Sequence, residues 1–230
     1  MRPRQTILLG LLLLVPVLAF LFLYGFGRNH YALPTYLPER ADSVRTPAGG
    51  WQRDTVFHQV APFRVRTSGE RLVTSSDLSK GMYVVQFYSP GEAGLPASRA
   101  LARLQERFRP DPRVRLLTLV ASQPTLAATN TQLTGLSEQY GTITGKWFFG
   151  ALPADTLQLL ARQEFGQTSL RPERFPFRPA TEPANLLPGR LLLVDNAQHV
   201  RGYYDATDKY DVERLITEIN VLLYTYDHRD

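Results

Sequence analysis

The chain has 230 residues, 43% of them hydrophobic, and a formal charge of +5 from 26 basic and 21 acidic side chains. That is enough for one globular domain plus an appendage, and the basic residues are scattered rather than massed, which argues against a nucleic-acid groove. There is no cysteine, which excludes disulfides, thiolate nucleophiles, Cys-ligated zinc and thiolate copper sites but leaves the compartment open, since an oxidising one permits disulfides without requiring them.

A short basic head, residues 1–6 with Arg2 and Arg4, precedes the uncharged run Ile7 to Gly27. At about 1.5 Å per residue this run spans roughly 30 Å, the hydrocarbon thickness of a bilayer. It is longer than the apolar core of a cleaved signal peptide, and no small-x-small cleavage site follows it. The expectation is a retained single-pass anchor in the inner membrane, touching lipid, with the N-terminus cytoplasmic and the remainder periplasmic. Tyr24, Phe26, Tyr31 and Tyr36 would form an aromatic belt at the outer interface. Residues 28–54, with Pro34, Pro38, Pro47 and Gly49-Gly50, predict a juxtamembrane linker, so the folded domain is expected over residues 55–230.

Val56 to Val60 and Phe63 to Arg66 alternate, and the Ser68-Gly69 turn leads into Arg71-Leu72-Val73, a hairpin signal. Ser75 to Leu78 predicts a helical turn, and Tyr83 to Tyr88 a buried strand. A loop of Ser, Pro and Gly follows at Ser89 to Gly94. A helix then opens near Pro96, with Ala97, Leu101, Leu104 and Phe108 on one face. Arg113 to Val120 predicts a second apolar strand, 125–140 a weaker helix, Lys146 to Phe149 a third strand, and Asp155 to Phe165 another helix. Five prolines in 166–189 predict an irregular surface excursion pinned by Phe175 and Phe177. Arg190 to Asp195 and His199 to Tyr204 predict a closing hairpin, and a final helix runs from an Asp208 N-cap to Tyr226. Alternating strand and helix with an antiparallel closing edge predicts an α/β fold, a thioredoxin-like sandwich behind an N-terminal transmembrane helix.

Several segments in this order resemble the Sco/SenC family of membrane-anchored, thioredoxin-fold copper chaperones that assist cytochrome c oxidase assembly. They are Gly25 to Tyr31, Ala102 to Phe108, Gln139-Tyr140-Gly141, Gly145 to Phe149, Arg190 to Asp195 and Arg201 to Asp208. The resemblance implies a Cys-x-x-x-Cys-Pro loop after the central strand and a distant His, suited to copper and to thiol exchange. Here Pro90 or Gly91 stands at the first Cys, Gly94 or Leu95 at the second, and Pro96 keeps the following proline. Leu186 to Pro188 occupies the place of the His, and Ser122-Gln123-Pro124 that of an Asp-Pro. No copper ligand is carried over. The chain is expected to be a degenerate member without cofactor or catalysis, a binding or assembly factor with respiratory-oxidase subunits or an active Sco homologue as partners, and no nucleic acid.

The candidate surface is the former cysteine loop, Ser89, Pro90, Gly91, Gly94, Leu95 and Pro96, with Pro188 as a possible cis-proline beside it. The alternative is a metal carrier or cysteine-free enzyme using Asp and His. His30, His58, His199 and His228 are the only histidines, and their predicted positions do not converge. Asp205, Asp208 and Asp211 are expected to make turns and caps. Ser89 lacks a nucleophile elbow, and Trp147, Phe148 and Phe149 are expected in the core.

Overall fold

The computed structural model describes residues 14–18, 20–21, 33–45, 50–67, 71–166 and 189–228. It divides into two units, residues 1–32 and 33–230. In the first, residues 14–18 and 20–21 are helical and exposed. The expected anchor over 7–27 lies for the rest outside the described residues, as do Tyr24, Phe26, Tyr31, Phe175, Phe177 and Pro188. Among the described residues no helix is long and apolar enough to cross a membrane.

The second unit begins with a two-stranded antiparallel hairpin, β1 (Pro38–Arg45) and β2 (Trp51–Phe57). The sequence reading has a linker there; proline and glycine punctuate the segment so densely that its pairing leaves no period to read. The chain just before it is also part of the domain. Tyr36 N–H donates to the Val200 carbonyl at 2.9 Å, and Arg201 binds Thr35 Oγ1 and the Leu33 carbonyl. Tyr36 packs edge-on against Tyr203, ring centroids 5.2 Å apart. It therefore packs as part of the domain, because a partly apolar ring gains more from that aromatic pairing than from water.

The remaining strands are β3 (Arg64–Thr67), β4 (Leu72–Thr74), β5 (Met82–Phe87), β6 (Val114–Ala121), β7 (Trp147–Leu152), β8 (Arg190–Val194) and β9 (Val200–Asp205). They form one mixed sheet in the order β4-β3-β7-β6-β5-β8-β9. The middle strands β5, β6 and β7 are parallel, and both flanks are antiparallel. All six residues of β5 are buried, because helices or loops cover both faces of a central parallel strand, and this is why its sequence is apolar but for Gln86.

One face packs α2 (Leu95–Arg107), α3 (Leu126–Gln139) and α5 (Lys209–Asp227) over Met82, Val84, Leu116 and Leu193, through Ala97, Leu101, Leu104, Leu133, Leu215 and Ile219. The other buries Tyr83, Val85, Phe87, Leu119 and Leu192 under α1 (Ser75–Leu78), α4 (Ala154–Leu159) and Leu37, Val60 and Phe63. Each fully buried aliphatic contributes roughly 1.5–3 kcal/mol. Caps set the helix starts: Thr74 and Asp77 make a reciprocal capping box, Thr125 accepts from Ala128 N–H, and Asp208 accepts from Tyr210 N–H at 2.8 Å. The expected helix to Phe165 changes character midway, since Leu160–Glu164 is a π-helical turn following α4.

Lys146, at the foot of β7, is 5% exposed and donates to the carbonyls of Phe108 and Asp111, closing the C-terminal end of α2. Burial pushes its ammonium down to about 8, against the pull of Asp111.

Candidate binding surface at the loop after the central strand

β5 delivers the chain to the top of the sheet, and Tyr88 N–H still donates to the Leu119 carbonyl at 2.8 Å before the loop departs. Pro90 to Ala93 are exposed, Ser89, Leu95 and Pro96 half-buried, and Gly94 buried. Gly94 N–H donates to the Gly91 carbonyl and Leu95 N–H to that of Glu92, so the loop closes as a turn into α2. Gly91 has φ +79°, the left-handed region that favours glycine. At Gly94 the constraint is steric: a Cβ there would lie 1.8 Å from the Ser89 carbonyl oxygen. No side chain fits position 94 in this loop.

Beneath the loop runs a chain of buried polar groups that the sequence reading missed. Gln86, Ser98 and Thr118 are each 1% exposed or less. Gln86 Nε2 donates to Ser98 Oγ at 3.0 Å and to the Gly94 carbonyl at 3.4 Å. Ser98 Oγ in turn can donate to Gln86 Oε1 or to Gly94 O. Thr118 Oγ1 donates to Gln86 Oε1, and Trp147 Nε1 donates to Thr118 Oγ1 at 2.9 Å. Every donor in this chain has an acceptor, so burial costs little and the network fixes the loop's exit carbonyl relative to three strands. The signal was available: a lone Gln in an apolar strand, and a lone Thr directly beside it in the next, Gln86 being paired with Thr118.

Flanking aromatics extend the surface. Tyr88 is half-buried, and burial, with Tyr140 nearby, raises its phenol above the ordinary range. Tyr140 stacks on Phe149 at 6.3 Å, and Phe149 on Trp147 at 5.3 Å. On the other side Gly189, φ +82°, enters β8 so close that a methyl on it would lie 3.8 Å from the Ala93 carbonyl and 3.6 Å from Thr207 Cγ2. The entrance of β8 thus lines the loop; Pro188, the possible cis-proline, lies outside the described residues.

The other residues singled out from the sequence fall elsewhere. Asp205 Oδ1 accepts from Thr207, Asp211 Oδ2 accepts from Asp205 N–H, and Asp208 caps α5, all turn and cap roles. His58 sits between Glu39 (2.7 Å) and Glu164 (3.1 Å), an arrangement the sequence did not foretell, while His199 lies 3.8 Å from Asp195. Among the described residues no group of three or more His, Asp or Glu is placed to hold a metal ion. Trp147 and Phe149 are core residues, and Phe148 packs partly buried on the opposite face.

No family model matches the chain, and no curated protein does. Solved structures match its fold. BsSco, described as a member of the Sco family of cytochrome c oxidase assembly proteins with a disulfide switch, superposes with TM-score 0.53 at 15% identity, over 71% of this chain and 92% of that one. The fold is thioredoxin-like, of the kind the Sco/SenC proteins share. A SCO1/SenC family lipoprotein from Bacillus anthracis str. Ames gives TM-score 0.51 at 15% identity, over 72% of this chain and 95% of that one. A putative protein disulfide isomerase from Bacteroides thetaiotaomicron gives 0.50 at 14% identity, over 74% and 92%. The thioredoxin-like chain described here has the scaffold of these proteins and no cysteine at all.

Proposed function

We propose that the protein is a membrane-anchored, exported Sco-like factor without copper or thiol chemistry, which acts by binding in cytochrome oxidase maturation. One observation carries this reading. The loop of Ser89–Pro96 carries no thiol, thioether or imidazole, the donors that suit copper and thiol exchange, yet its shape is held by Gly94 and by a fully satisfied buried network. A loop retained only as a remnant would have no need of such support; a docking surface would. The Sco context of BsSco and of the Bacillus anthracis lipoprotein supports the choice of process, and the apolar run at Ile7 to Gly27 supports the anchor.

The test uses the full-length tagged chain in its native membranes, with a photo-crosslinking residue in place of exposed Glu92. Crosslinks to oxidase subunits or to a cysteine-bearing Sco homologue are expected from position 92 and not from Tyr210, which is exposed on α5. Equal capture from both positions overturns the loop as the docking surface. Stoichiometric binding of Cu(I) or Cu(II) at about micromolar affinity or better overturns the metal-free reading and favours an Asp/His metal carrier.

A further inference from the structure

A second site lies on the face of the sheet that carries α1. β5 begins at the end of the sheet opposite the loop, and since β8 runs antiparallel to it, with Tyr83 opposite Val194, the β8–β9 turn at Asp195 to His199 lies at that end. Between that turn, α1 and the chain entering β3 is a cavity of about 420 Å³, within the size range of small-molecule sites. Val60, Pro62 and Phe63 give it an apolar wall.

Its polar lining is one-sided. Three hydroxyl hydrogens are already committed: Thr74 donates to Asp77, Ser76 to Thr74, and Ser79 to the Ser76 carbonyl. Three other donors are not. Ser75 Oγ accepts from Phe63 N–H, but its own hydrogen meets no acceptor among the described residues. The Arg64 guanidinium, exposed at the cavity, makes no ion pair with them. Gln198 gives its Oε1 to the Tyr83 hydroxyl at 2.8 Å, which leaves Nε2 buried without a partner. Gln198 is also held at φ +65°, a conformation that a non-glycine residue adopts at a cost of order 1 kcal/mol. A buried donor without an acceptor on a strained turn calls for an explanation, and a ligand that brings acceptors to an apolar cavity supplies one.

We infer that this cavity binds a carboxylate carried on a small apolar body, with Arg64, Ser75 and Gln198 donating to the carboxylate and Val60, Pro62 and Phe63 enclosing the body. The carboxylate can belong to a free organic acid or to the C-terminal residue of an apolar peptide. This site is independent of the loop and of the function proposed for it.

The test is calorimetric titration of the full-length chain with 3-phenylpropanoate and, separately, with N-acetylglycyl-phenylalanine. Saturable one-site binding by at least one is expected, and the tighter of the two identifies the source. The neutral 3-phenylpropanamide should bind at least about tenfold more weakly, as should inorganic phosphate, which lacks the apolar body. Arg64→Met and Gln198→Glu should each weaken carboxylate binding about tenfold or more, the second by setting an anionic oxygen where Nε2 stood while keeping the acceptor for Tyr83. Arg66→Met, on the same strand but outside the cavity, should not change it. A thermal melt of each variant confirms that it is folded. Absence of saturation by either carboxylate up to about 10 mM, equal binding of amide or phosphate, or unchanged affinity in both cavity variants overturns the assignment.

Discussion

The loop and the cavity handle polar groups in opposite ways. At the loop, Gln86, Ser98, Thr118 and Trp147 form a closed chain in which each donor has an acceptor. At the cavity, Arg64, Ser75 and Gln198 hold donors with no acceptor among the described residues, and at the start of β7 Lys146 is buried with its ammonium pushed down to about 8. The loop is self-contained, and the unpaired donors lie on the face of the sheet that carries α1. A thioredoxin-like loop without thiols therefore does not make the whole molecule chemically inert; the two regions must be tested separately.

The largest effect that would break the comparison comes from Gly94→Ala. Its methyl would collide with the Ser89 carbonyl, so the loop must open and the network lose its terminal acceptor. We expect a loss of about 3 kcal/mol, read by denaturant unfolding, and loss of position-92 crosslinks. Stability within error of the parent would mean that the loop is soft and that its shape carries no function.

Next comes the network itself. Gln86→Leu strands the Thr118 hydroxyl hydrogen, and Thr118→Val strands Trp147 Nε1–H. Each should cost about 2 kcal/mol. Because the two changes disrupt one chain, the double variant should cost less than the sum, by about 1 kcal/mol in a double-mutant cycle. Strict additivity would show that the groups are neighbours without being coupled.

What could be read without coordinates follows from this difference. Strand and helix order was legible, since β5, β6 and β8 are largely apolar runs and α5 presents Val212, Leu215, Ile219 and Leu222 on one stripe. So was the loop between β5 and α2. The β1–β2 hairpin was not, because Pro38 and Gly49-Gly50 mimic a linker and nothing local announces a partner strand. Nor were the Gln86–Thr118 contact and the cavity. Both depend on residues far apart in the chain: β6–β7 pairing sets Trp147 beneath Thr118, and the segment Val60 to Phe63, hydrogen-bonded to Gln198 at one end and Ser75 at the other, brings those two to one cavity.

At the start of β7, Lys146 offers a pH readout. Its folded-state value, about 8, lies below the ordinary 10.5, so between these values the unfolded chain binds more protons than the folded one. Stability attributable to Lys146 should therefore rise with pH across that window, and below about pH 8 the full cost of burying the charge remains. The parent should gain stability relative to Lys146→Met as pH goes from 7.5 to 10. A constant difference would mean that the ammonium is hydrated, and the contrast with the loop would then rest on the cavity alone.

The smallest stability effect sharpens the contrast most. Arg64 is exposed and makes no ion pair with the described residues, so Arg64→Met should change unfolding free energy by no more than about 0.5 kcal/mol. If the guanidinium is kept for a ligand, removing it costs the free protein almost nothing, and the loss appears only when a carboxylate is present: 3-phenylpropanoate should raise the melting temperature of the parent and not of the variant. A destabilised Arg64→Met variant without ligand would instead give Arg64 a structural role. The loop and the cavity would then differ in how completely their donors are paired, but not in what the unpaired ones are for.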